Sequence, residues 1–280
     1  MASQPRAPYR ARFWGVRGST PTPTAENLRY GGNTSCLELE LSPSRRLIFD
    51  AGTGIRLLGN QLSESASEPE HDIRIFLTHY HHDHIQGLPF FRPLYWPGCR
   101  LTFHGHRPPG LTLQETLERI VSPPFFPATL AESASVRRFM EVGIHPIAID
   151  DLTVTPVPLN HPQRATGYRV DGDGRSFLYA TDHEPGNAAA DAALCAAAKG
   201  VGVLIVDAHF TPEEHERHRG WGHSTWRAAA ELAREARAGR LILFHHHPHH
   251  SDEEMDRIVA AARTVFPTTD AAREGMEFDL

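Results

Sequence analysis

The chain has 280 residues, 40% of them apolar and 22% charged, an ordinary globular composition that excludes a disordered or low-complexity polymer. Twenty-eight Lys and Arg face 34 Asp and Glu, and the net charge of −6 supplies no global positive field for a polyanion, which disfavours long nucleic acid as a partner. No stretch approaches the ~20 apolar residues of a membrane span, and residues 1–14 hold no signal-like apolar run, so a cytoplasmic protein without a membrane partner is expected.

Two glycine-rich turns open the chain, Gly15-Val16-Arg17-Gly18-Ser19-Thr20-Pro21 and Gly31-Gly32-Asn33-Thr34-Ser35. Strand-like runs follow at 36–41 and 47–49, the second leading into Asp50-Ala51-Gly52-Thr53-Gly54. A third run, 73–77, leads into Thr78-His79-Tyr80-His81-His82-Asp83-His84. The region 88–143 has a different make-up, with a proline-rich aromatic start, a short strand at 100–103, a helical candidate at 113–121, and Pro123-Pro124-Phe125-Phe126-Pro127. It reads as an insertion near the site mouth, serving as lid or interface. Further strands are expected at 152–157, 167–170, 176–179, 201–206 and 240–244, and alanine-rich helices at 187–199, 226–238 and 252–264. This alternation predicts one α/β domain over 1–280, with two sheets face to face and helices outside.

The three cysteines, Cys36, Cys99 and Cys195, lie far apart and match no zinc-ribbon or redox spacing. The anomaly is histidine, with 19 residues concentrated in dense groups. His79, His81, Asp83 and His84 crowd one loop at a strand end, where neutral imidazoles and a carboxylate suit zinc, manganese or iron. Residues two apart on an extended segment point the same way and can share one ion, while Asp83 and His84, past the turn, can reach a second. His161, Asp182 and His245 each follow an apolar strand and supply further donors.

Together, His79-Tyr80-His81-His82-Asp83-His84, His161, Asp182 and His245 resemble the signature of the metallo-β-lactamase superfamily, and Asp50 to Gly54 resembles its first aspartate motif. The resemblance covers nearly the whole chain and implies a four-layer αβ/βα sandwich of two mixed sheets with two divalent metal ions at one edge. It places His79, His81 and His161 on one ion and Asp83, His84 and His245 on the other. Asp182 bridges them, since two dications repel unless anionic oxygen lies between them. Asp50 is implied as the partner that orients a ligand histidine. Zinc is the first candidate metal, with Mn2+ or Fe2+ as alternatives.

Val206-Asp207-Ala208-His209-Phe210 and Gly222-His223-Ser224-Thr225 resemble the ribonuclease Z and phosphodiesterase branch, as do the opening turns and Gly167-Tyr168-Arg169. By that match Asp207 holds His223 against a scissile phosphate, and His223, Asp207 and Asp83 form the catalytic set. Ribonuclease Z carries glutamate where this chain has Asp207, and the shorter arm puts direct contact with His223 in question. Arg17 and Arg169 are candidate phosphate contacts, and Phe125 and Phe126 candidate stacking partners for a base.

The run His84-Ile85-Gln86-Gly87-Leu88-Pro89-Phe90-Phe91 resembles bacterial proteins grouped with cyclic-nucleotide phosphodiesterases. The expected reaction is therefore hydrolysis of a small phosphodiester, a cyclic nucleotide first, by attack of metal-bound hydroxide. Three alternatives stay open: an RNA-processing endonuclease of ribonuclease Z type, an iron-dependent oxidoreductase on the same fold, and a metal-stabilised binding module. Relatives of this kind are often dimers, which leaves a homodimer open.

Overall fold

The computed structural model describes residues 9–65 and 70–280. Among the described residues, fourteen strands form two seven-stranded sheets. The first sheet takes β1 (Arg10–Gly15), β2 (Cys36–Ser42), β3 (Arg45–Phe49), β4 (His71–Phe76), β5 (Cys99–Gly105) and β6 (Val136–Glu141). The second takes β7 (Ile147–Ile149), β8 (Leu152–Leu159), β9 (Ala165–Gly172), β10 (Arg175–Ala180), β11 (Val203–Asp207), β12 (Arg240–Phe244) and β13 (Thr269–Ala271). The last strand, β14 (Glu277–Asp279), returns to the first sheet and pairs antiparallel with β1.

The helices are α1 (Gly54–Ser65), α2 (His82–Ile85), α3 (Leu113–Ile120), α4 (Ala188–Ala198), α5 (Pro212–His215), α6 (Trp226–Ala236) and α7 (Asp252–Arg263). Their ends carry the expected local chemistry: Asn187 caps α4 through Ala189 and Ala190 N–H, Ser251 caps α7, and Thr112 with Glu115 forms a capping box on α3. Among the described residues, no helix is long and apolar enough to cross a membrane.

Three apolar clusters account for the layering. Phe13, Leu37, Phe49 and Phe76 of the first sheet meet Tyr168, Phe177, Tyr179, Ile205 and Phe244 of the second, giving the inter-sheet core. Leu194, Trp226, Ala230, Met255 and Ile258 pack α4, α6 and α7 on the outer face of the second sheet. Ile55, Leu58, Leu113 and Leu117 pack α1 and α3 on the outer face of the first. The expected αβ/βα sandwich of two mixed sheets is therefore observed. Each fully buried aromatic or aliphatic side chain contributes roughly 1.5–3 kcal/mol to this burial.

The 88–143 stretch is more than an addition to the sheet, because it carries β5 and β6, which extend the sheet in parallel register from β4. The turns over 88–98 that lead into β5, and the chain between β5 and β6 with α3 and the Phe125-Phe126 turn, lie outside the strands. Strands β3 to β6 are parallel to one another, as are β10 to β13. Parallel neighbours end at a common edge, and that is where crevices for ligands open in α/β sheets.

Candidate metal centre

The loop after β4 begins at that edge. Two residues apart, His79 and His81 bring their rings to 4.4 Å between centroids, and His161, after β8, completes the first group. His81 Nδ1 lies 3.2 Å from His161 Nε2. The second group is Asp83, His84 and His245: His84 Nε2 is 3.2 Å from both Asp83 Oδ2 and His245 Nε2, and His245 Nε2 is 3.0 Å from Asp83 Oδ2.

Asp182 stands between the groups. Its Oδ1 is 3.8 Å from His79 Nε2 and from His161 Nε2, and its Oδ2 is 3.3 Å from His84 Nε2 and 3.4 Å from His245 Nε2. Asp50, Asp182 and His245 all adopt left-handed backbone, with φ of 62°, 61° and 61°. Such residues cost on the order of 1–3 kcal/mol each and persist only where the surroundings hold them.

The donor geometry fits metal ions. A tetrahedral ion with bonds of about 2.0–2.1 Å to nitrogen separates its ligand atoms by about 3.3 Å. The close pairs here span 3.0 to 3.4 Å. His79 Nε2 is buried without a hydrogen-bond partner, although a buried ring nitrogen ordinarily has one. The set of imidazoles and carboxylates is therefore compatible with divalent ions.

Protonation follows the same layout. Burial and the neighbouring His84, His161 and His81 push the His79 imidazole well below its ordinary pKa, toward the neutral form a metal needs. Burial would raise Asp182, yet His245, His84 and His79 hold it well below the usual carboxylate range.

Behind the donors stands a layer of hydrogen bonds that fixes their rings. Asp50 Oδ2 is 2.8 Å from His84 Nδ1, and the same carboxylate accepts from Thr78 N–H, Thr78 Oγ1 and Tyr179 Oη. Thr78 Oγ1 also lies 3.1 Å from His79 Nδ1, and Gly222 O accepts from His161 Nδ1 at 2.8 Å. Ser19 N–H donates to Asp83 Oδ2 at 2.7 Å. Sequence reasoning named Asp50 but missed Thr78, Tyr179 and Ser19. Thr78 adjoins the histidine run and could have been found there, whereas the Tyr179 contact bridges 129 positions and left no local signal.

Asp207 reaches His223 directly, with Oδ2 2.8 Å from His223 Nδ1. Its other oxygen accepts from His209 N–H and Ser224 N–H at 3.0 Å each. Burial alone would lower the His223 pKa, but Asp207, with Asp182 and Asp83 behind it, raises it to about 9. His209, to which the sequence pattern alone assigns no role, stacks on His223 at 4.4 Å and 28°. A cavity of about 470 Å³ is lined by Ser19, Tyr80, His81, His82, Asp83, Asp182 and His223. His82 also lines a second cavity of about 400 Å³, with Ile85, Pro89, Phe90, Ile120, Phe125 and Phe126.

The two arginines expected at the phosphate are placed elsewhere. Arg17 is fully buried, and its guanidinium donates to the carbonyls of Gly31, His247 and His250 at 2.8, 3.1 and 2.8 Å. Arg169 pairs with Asp171 and donates to the Ala197 and Lys199 carbonyls at the end of α4. Both act here as structural ties: Arg17 is buried with its Nε and Nη1 donors on the chain's own carbonyls, and the donors of Arg169 are taken by Asp171 and the end of α4.

Residues 45–246 match the family described as Beta-lactamase superfamily domain. Ribonuclease BN of Cronobacter sakazakii is 27% identical over 279 residues, spanning 81% of this chain and 87% of that one. The metallo-beta-lactamase fold protein YhfI from Bacillus subtilis superposes with a TM-score of 0.71 at 19% identity, covering 98% of this chain and all of that one. The short form of human tRNase Z gives 0.67 at 20% identity, covering 96% and 98%. Both solved structures share the fold.

Proposed function

From the premise that the chain belongs to the metallo-β-lactamase superfamily and is a metal-dependent hydrolase, we propose that it hydrolyses a small phosphodiester, a cyclic nucleotide first among candidates. The observation that carries this reading is the division of Asp182, one carboxylate oxygen toward His79 and His161 and the other toward His84 and His245. Two ions held by His79, His81, His161 and by Asp83, His84, His245 would supply nucleophilic hydroxide at neutral pH and polarise the phosphate.

The chain's own part is positioning and proton delivery. Asp207 occupies Nδ1 of His223, which leaves Nε2 as the ring position available to substrate. Held through Nδ1 by Asp207, His223 in its imidazolium form donates from Nε2 to a phosphate oxygen or gives its proton to the leaving oxygen as the ester bond breaks. The apolar cavity of Phe90, Phe125 and Phe126 takes the base, since aromatic faces accept nucleobases at roughly 1–3 kcal/mol each. Zinc as the resident metal and cytoplasmic residence belong to the same reading.

The test is an assay of purified protein with zinc or manganese on bis-p-nitrophenyl phosphate and on cyclic purine and pyrimidine nucleotides. Metal-dependent release is expected, and its absence from all of them overturns the proposal. The ribonuclease BN relatives favour a second reading, an RNA-processing endonuclease. Cleavage of a transfer RNA precursor in preference to every small diester would select it; the net charge of −6 supports the small substrate.

A further inference from the structure

Glu184 lies two residues beyond Asp182, on the same turn after β10, and its side chain is 12% exposed. Its main chain is locked in both directions to the turn after β8: Glu184 N–H donates to Asn160 O at 2.9 Å, and Asn160 Nδ2 donates to Glu184 O at 2.7 Å. The carboxylate then reaches across to a third segment. Oε1 accepts from Gly220 N–H and Oε2 from Gly222 N–H, both at 2.7 Å, and His215 Nε2 sits 3.3 Å from Oε1.

Gly222 is the pivot of that segment. Its φ is +88°, and a Cβ there would stand 2.1 Å from His161 Nδ1, so the backbone comes as close to the imidazole as glycine alone permits. The Gly222 carbonyl is the acceptor that fixes the ring of His161, and the next residue is His223. A free glycine loop would sample many conformations, and two short amide bonds donated to one carboxylate remove that freedom.

We infer that Glu184 is a positioning residue: it latches residues 220–222 so that the Gly222 carbonyl orients His161 toward the first ion and His223 is delivered to the substrate side. The inference rests on the reading of the site as a two-ion centre. Loss of a group that orients a metal-ligating histidine typically weakens metal binding 10–100-fold. Glu184→Ala therefore weakens one of the two ions by that factor and leaves the other near its wild-type affinity. Glu184→Gln keeps the shape and one accepting oxygen, and its effect falls between wild type and Glu184→Ala.

The experiment is zinc titration of the full chain and both variants, followed by calorimetry, with amide hydrogen exchange of Gly220 and Gly222 on the same samples. The expected result is two ions on wild type, a 10–100-fold weaker one on Glu184→Ala, and faster exchange confined to residues 220–223. Wild type with two ions and variants that bind both equally well, with protected loop amides, overturns the latch alone. Should Glu184→Ala not fold, the Glu184→Gln comparison decides by the same criteria. Wild type that does not bind two ions overturns the two-ion reading and the latch with it.

Discussion

Asp207 Oδ2 lies 2.8 Å from His223 Nδ1, so the aspartate arm is long enough to grip the imidazole. Contact is made because β11 and β12 run parallel, with Asp207 opposite Phe244, and the loop carrying His223 folds back over the end of β11. The Ser224 amide bond to Oδ1 pins that return and keeps His223 within reach of the aspartate.

The pair predicts a titration. In the metal-free chain His223 is charged up to about pH 9, because Asp207, Asp182 and Asp83 outweigh its burial. A raised pKa favours the protonated folded state: the stabilisation is complete below about 6.5, the ordinary histidine value, and is lost as pH rises through about 9. Asp207→Asn should bring the His223 midpoint down toward the ordinary value, measured by NMR of ring protons, and cut turnover at least tenfold in the metal-loaded enzyme. A midpoint that does not move separates the two residues functionally.

Asp50 makes a different prediction. Its buried carboxylate holds His84, Thr78 and Tyr179 at once, and removing it leaves those donors unpaired in the interior. Asp50→Ala should destabilise the chain by about 3–5 kcal/mol and weaken metal binding 10–100-fold. Denaturant unfolding and zinc titration of one preparation read both.

The clustering of these side chains was legible because its core is nearly consecutive in sequence: His79, His81, Asp83 and His84 share one loop, and His161, Asp182 and His245 follow apolar runs that had to be buried strands. The parallel core strands and the helices α3, α4, α6 and α7 were found to within one or two residues for the same reason. Strands β1, β6, β7, β13 and β14 were not, nor was α1. Three of those strands have only three residues each, and β6 is an edge whose side chains alternate between half-buried and exposed, leaving little apolar periodicity. The structural ties of Arg17 and Arg169 were not legible because residue type suggests exposure, whereas their carbonyl partners come from distant segments that no local pattern reveals.

Arg17 yields a test of that structural role. Its guanidinium satisfies three carbonyls in a fully buried position, so Arg17→Ala should lower stability by about 3–5 kcal/mol. Arg17→Lys should recover only part of it, since an ammonium cannot reproduce the fork. If instead KM for the diester rose tenfold with stability unchanged, the arginine would be a substrate contact after all.

The aromatic cavity predicts selectivity. Phe126 packs edge-on against Phe90 at 5.9 Å, while Phe125 is 83% exposed. Phe126→Ala should raise KM for a nucleotide diester by roughly 5- to 150-fold, the equivalent of 1–3 kcal/mol, with little change for a small alkyl diester. Equal effects on both substrates would mean that the cavity shapes the fold and not recognition.

The most direct measurement is anomalous diffraction at the zinc edge from crystals of zinc-loaded protein. Two peaks are expected within about 4 Å of each other, one among His79, His81 and His161, the other among Asp83, His84 and His245, with an Asp182 oxygen on each. A single peak, or a fully loaded crystal in which His161, Asp182 or His245 turns away from the metals, would contradict the account.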